Sequence, residues 1–399
     1  MNTTAAASLD PSVYAPPAGL AGIARVSLAL GAVAGAASLA GAVGDPAQFF
    51  RSYLVAFVYW LSIALGCSAI SMLHHTTRGG WGLMIRRVLE AAAGTLPLVA
   101  LFFVPILLGL RHLYRWARPE EVAADQLLMH QAIFLNVPFF AARAILYFII
   151  WCGFAWTLGR MSASQDATGQ AGLPRRMQII AAPGLVLYCL TATFASIDWL
   201  MSLDTRWYST IYGVYFVGGH AIAGLSFTVL VALYLCERGG MSGAFRPVHF
   251  HDYGKLLLTF VVLWAYFAVS QLIIVWSGNL AEEITWYQGR LLGGWSGVSL
   301  ALVVLHFALP FVLLLSREGK RSAVRLSMVA VLLLGMRWVD LHWLAAPAFS
   351  PDRPAFHWLD AATWIALGGF WVAAFARRLA RRPLLPLRDP SLPEALAHD

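Results

Sequence analysis

The feature that most limits what this chain can become is a succession of ten apolar stretches, each of the roughly 20 residues an α-helix needs to cross ~30 Å of hydrocarbon. They run approximately over residues 20–43, 50–74, 91–112, 134–159, 177–203, 210–236, 254–279, 290–316, 323–346 and 357–377. With 59% hydrophobic and 12% charged residues among 399, the chain cannot hide this surface in one water-soluble core. The expectation is an all-α, polytopic membrane protein of about ten transmembrane helices. Pro97, Pro105, Pro183 and Pro310 fall inside the third, fifth and eighth stretches, where kinks are tolerated if neighbouring helices satisfy the freed carbonyls.

Ten crossings return the chain to its starting side. On that side fall Arg78, Arg86, Arg87, Arg160, Arg175, Arg176, Lys255, Lys320, Arg321 and the arginines of 377–388; the other side has Arg51, Arg111, Arg115, Arg118, Arg206, Arg290 and Arg353. Lysine and arginine collect on cytoplasmic loops, so both termini are expected in the cytoplasm of a bacterial inner membrane. The net charge of +8 then reflects topology, not nucleic-acid binding. Residues 1–19 and 378–399 are read as cytoplasmic tails flanking a membrane domain at 20–377. An internal echo links the fifth stretch, ending Asp198-Trp199-Leu200, to the ninth, ending Asp340-Leu341-His342-Trp343-Leu344. A shift of four spans preserves orientation, so this would be a parallel repeat of two four-helix bundles, about 50–203 and 210–346, flanked by two peripheral helices.

Ionisable residues inside such spans are functional candidates, because their desolvation must be offset. Asp198, His220, His306 and Asp340 are the candidate proton-relay groups, with Glu282 and Glu283 as an outer exit. Arg337 lies three residues before Asp340, on one helical face. Asp198 has no charged neighbour a turn away, so its partner is expected on another helix, with Arg143 the candidate. His220 and His306 lie at similar depth, so a b-type haem is the alternative to a relay or to packing.

Other features read more plainly. No haem, iron–sulfur or metal motif is complete and no catalytic set is evident, so neither a covalently bound cofactor nor a metal is expected. Cys67, Cys152, Cys189 and Cys236 read as packing residues, and Arg86 and Arg87 as lipid-facing arginines beside a tight turn. His249, His251 and Asp252 read as a solvated loop; Trp207, Tyr208, Trp286 and Tyr287 as an interfacial belt. Gly31 and Gly35 form a GxxxG frame suited to close packing, within the chain or against another subunit.

The order His74-His75, Trp81, Arg86-Arg87, Asp198-Trp-Leu-Met-Ser-Leu203, Gly278-Asn-Leu-Ala-Glu282-Glu283-Ile-Thr-Trp286-Tyr287, Ser316-Arg317 and Asp340-Leu-His-Trp343-Leu resembles the NrfD-like integral membrane subunits of bacterial alternative complex III, closest to the second such subunit, the ActF type. The resemblance covers nearly the whole chain and implies ten helices as two bundles plus two peripheral ones. It also implies a place in quinol:cytochrome c oxidoreduction, beside a sister NrfD-like subunit, an iron–sulfur protein and a multihaem cytochrome c. In that family the ActF-type subunit is proposed to offer a proton path, and quinone or menaquinone is the candidate ligand. The rival reading is a stand-alone secondary transporter, which also has Gly/Pro-interrupted spans and a few buried charges.

Overall fold

A computed structural model describes residues 13–238 and 241–397. Nine helices among the described residues are long and apolar enough to cross a membrane. They are α1 (Gly19–Gly44), α2 (Pro46–Thr77), α3 (Arg86–Leu108), α4 (Val137–Thr168), α5 (Leu173–Trp199), α6 (Tyr212–Arg238), α7 (Pro247–Gly278), α8 (Ser296–Leu315) and, last in the chain, α10 (Trp358–Leu379). The ninth predicted stretch is also helical, as α9 (Ala323–Ala345), and it buries Arg337 and Asp340. This is an all-α, multi-pass membrane protein.

The elements α2–α5 pack as one bundle and α6–α9 as a second, with α1 and α10 paired along the outside. Almost all of α2 is buried, because it touches its own bundle, α6 and α10. Where α2 and α6 cross, their backbones meet. A Cβ on Gly66 would stand 1.9 Å from the His220 carbonyl oxygen, and one on Gly224 would stand 2.5 Å from the Gly66 carbonyl carbon. The α1–α10 contact is equally close at one point, where a Cβ on Gly369 would lie 2.5 Å from the Gly31 Cα. The GxxxG frame therefore serves packing inside this chain and is covered by α10 at Gly31.

Several predicted boundaries change. The third stretch is a run of short helices, Arg86–Ala93, Leu96–Phe102, Val104–Leu108 and Leu110–Leu113. Pro97 and Pro105 each stand in the first turn of a piece, where a missing N–H is tolerated. Within α8, residues Leu302–Ala308 widen into a π-helix just before Pro310, whose missing N–H leaves an upstream carbonyl without its usual partner. Arg290 belongs instead to a separate helix, Ala281–Leu291. The α4 helix runs beyond residue 159 to Thr168, closing on Gly169 at φ 66°.

The first and last described segments meet at one end of the bundles, where the Leu384 N–H donates to the Tyr14 carbonyl at 2.8 Å. The segment predicted as a C-terminal tail is not free. Leu384, Leu385, Asp389, Leu392 and Ala395 are buried against that end. Residues 1–12 of the predicted N-terminal tail, and residues 398–399, lie outside the described residues.

Candidate functional site

Asp198 and Asp340, four helices apart in the chain, occupy different environments. Asp198 closes α5 and is fully buried. Arg143 of α4 grips it bidentately, Nη2 to Oδ1 at 2.6 Å and Nε to Oδ2 at 2.9 Å. The Tyr147 hydroxyl donates to Oδ2 at 2.8 Å, and Arg143 Nη1 donates to the Phe134 carbonyl at 2.9 Å. The guanidinium also lies 3.9 Å from the Phe134 ring centroid and 4.3 Å from that of Phe139, which adds cation–π attraction. Three donors on one carboxylate make a saturated pair, the arrangement of a structural clamp.

Asp340 stands at the seam of the two bundles. One carboxylate oxygen accepts from Arg337 Nη1, a turn earlier on α9, and the other from the Tyr215 hydroxyl of α6. Arg337 reaches on to Ser62 of α2, at 3.4 Å, and passes so close to α6 that a Cβ on Gly219 would lie 2.2 Å from its Nη1. His220 follows on α6, its Nδ1 2.9 Å from the Tyr188 hydroxyl of α5 and its ring edge-on to Phe216 at 4.3 Å. His306 lies on the π-helical turn of α8, edge-on to Trp264 at 4.3 Å. Asp340, Arg337, His220 and His306 are all completely buried.

This second cluster is not saturated. Both ring nitrogens of His306, Nε2 of His220 and Nε of Arg337 have no hydrogen-bond partner among the described residues. Buried polar atoms are costly unless bonded, and ordered water is the partner that meets such a need inside a protein. No protein-family model and no curated protein matches this chain. The chemistry available to it rests on these contacts: Tyr215 and Arg337 on Asp340, Tyr188 on His220, and His306 against Trp264, with neither imidazole bonded to the Asp340–Arg337 pair among the described residues.

The outer exit is not joined to this cluster. Glu282 and Glu283 sit in the first turn of the Ala281–Leu291 helix, Glu282 exposed and Glu283 half-buried, and neither side chain bonds to Asp340. The other face of that helix is structural. Trp286 stacks on Trp207 at 4.2 Å and 10°, and Arg290 lies over Trp286 at 3.6 Å while donating to the Trp343 and Leu344 carbonyls. Trp207, Trp286 and Tyr287 are thus buried, against the expected interfacial belt, whereas Tyr208 is exposed.

At the end of the bundles where Tyr14 and Leu384 meet, the arginines expected to face lipid are inside. Arg86 and Arg87 are 1% and 4% exposed. Arg86 pairs with Glu90 and with Asp389 from the C-terminal segment, each at 2.9 Å, and donates to Gln165 at 3.2 Å. Arg87 pairs with Glu90 at 2.7 Å and Asp166 at 2.5 Å. In the sequence, Glu90 at spacings of three and four is the available signal; Asp166 and Asp389 are beyond any local pattern. His249 is buried in the first turn of α7, accepting from the Arg246 N–H at 2.9 Å and meeting the Ala395 carbonyl at 3.1 Å, so it is no solvated loop residue. Cys67 is packed inside, while Cys189 is exposed on α5. Among the described residues no group of three or more His, Cys, Asp or Glu side chains is placed to hold a metal ion.

Proposed function

We propose that this chain is an integral subunit of a quinol:electron-acceptor oxidoreductase complex of the alternative complex III type. In this reading it lies in a bacterial inner membrane with both termini cytoplasmic, and supplies a proton route and a docking surface for redox subunits. The resemblance over residues 74–344 gives the class. The observation that carries the role is the unsaturated cluster at the bundle seam. A carboxylate whose charge is held by one arginine changes proton affinity when that arginine or its hydration shifts. Asp340, with Tyr215, His306 and His220, is therefore the relay, and Asp198 with Arg143 is a structural pair.

The test uses the complex purified from native membranes through a tag on this chain. Copurification of haem-bearing and iron–sulfur chains is expected; recovery of the chain by itself would favour the transporter reading. Asp340→Asn keeps one oxygen for Arg337 and turns its amide toward the Tyr215 hydroxyl, which can accept. The lost charge lowers stability, and in the complex that still assembles quinol oxidation is expected to stay partly intact while protons released per electron fall. An unchanged proton stoichiometry in an assembled variant refutes the relay.

A further inference from the structure

Between α3, α4 and α10 lies a cavity of about 350 Å³ lined by five arginines against one carboxylate. Arg87 is already matched by Glu90 and Asp166. Arg160 of α4, Arg378 of α10, and Arg381 and Arg382 just beyond α10 are exposed and have no ion pair with a carboxylate among the described residues. Two of them are held by other groups. Arg160 stacks on Trp156 at 5.1 Å, and Arg382 donates to the Gly159 carbonyl at 3.3 Å. Arg378 lies over Gly94, at the break in α3, where a Cβ would come 2.6 Å from its Nη1.

A second cavity, about 500 Å³ and mostly apolar, runs between α4 and α5 and shares Trp156 and Arg160 with the first. Its walls include Met161, Ile179 and Ile180, with Arg176 at its edge. Trp156 and Ile179 are 63% and 59% exposed. Four like charges collected at the end of spanning helices repel one another unless an anion joins them. A phosphate meets that need best, since guanidinium forks match its oxygens. Basic pockets between transmembrane helices are suited to anionic lipid headgroups, and an apolar groove opening from the same wall suits an acyl chain.

We propose that the two cavities bind one anionic phospholipid, its phosphate held by Arg160, Arg378, Arg381 and Arg382 and an acyl chain laid in the α4–α5 groove. This site is independent of the proton relay.

The full chain, purified in detergent with its partners, is melted with added phosphatidylcholine, cardiolipin or inorganic phosphate, and lipids retained by the untreated protein are read by native mass spectrometry. Cardiolipin is expected to raise the melting temperature and to be the retained species, with phosphatidylcholine inert. Each arginine near a lipid surface contributes ~1 kcal/mol, so Arg381→Gln and Arg382→Gln together should weaken cardiolipin binding by roughly 30-fold. Arg377→Gln, outside the cavity, should be near neutral. Gly94→Val, which crowds Arg378, is expected to weaken the lipid while all four arginines remain. Stabilisation by inorganic phosphate with none by cardiolipin overturns the lipid assignment. An equal loss in Arg377→Gln reduces the effect to general surface attraction and overturns the site.

Discussion

Asp198→Asn tests whether the first aspartate is a clamp. The substitution removes the charge facing Arg143, a bidentate partner 8% exposed, and leaves a guanidinium bonded to one carbonyl and two aromatic faces. Breaking a buried pair by removing one partner costs ~3–5 kcal/mol, and a weakened bond from Tyr147 adds about 1 kcal/mol. Replacing both members by apolar residues is different, because no unpaired charge is left; such replacements are often neutral or stabilising. Arg143→Met with Asp198→Leu should therefore be less destabilised than either Asp198→Leu or Arg143→Met by itself. The assay is a double-mutant cycle on purified protein, following loss of the monodisperse peak after heating, with denaturant unfolding in mixed micelles for the energies. A double variant as unstable as the sum of its singles would show that the two residues do not act as a pair. An Asp198→Asn variant of full stability with fewer protons released per electron would move the relay back to this aspartate.

Two further outcomes follow from local geometry. Gly219→Ala should destabilise the protein and disturb proton release, because its Cβ would collide with Arg337, while Gly218→Ala, whose nearest neighbour would be at an ordinary 3.7 Å, should behave as the parent; equal effects in the two variants would contradict the placement of Arg337. In the loop after α3, hydrogen bonds from Arg115, at 2.6 Å, and Arg118, at 2.5 Å, hold the Glu121 carboxyl below its usual value of 4.5. A lowered carboxylate pKa adds stability that is present above about 4.5 and is lost as pH falls through the lower folded value. Amide exchange across residues 115–125 should quicken in that acid window, and Glu121→Gln should remove the pH dependence.

The pairing of the buried polar residues is partly legible in the order of residues. Arg337 and Asp340 share one helix, so a spacing of three suffices to pair them. Arg143 is reachable by elimination, since Asp198 has no charge one turn away on its own helix. Tyr147, Tyr215 and Tyr188 are not reachable: in an apolar span, a tyrosine that bonds a carboxylate looks the same as one packed against lipid.

The solvent and the path of the chain are properties of its sequence alone. Apolar stretches of about 20 residues leave the backbone no partners except its own helix, so they set an all-α membrane protein and the approximate order of its spans. Tertiary structure decides which polar groups meet. Arg86 finds Asp389, 303 residues away, Trp207 stacks on Trp286, and a C-terminal segment expected in water closes over the bundle. Helical periodicity reports neighbours one turn apart along a single helix. Contacts between helices depend on how each is rotated and where glycines such as Gly66 and Gly219 let backbones or long side chains approach, and those constraints exist only once the helices are packed.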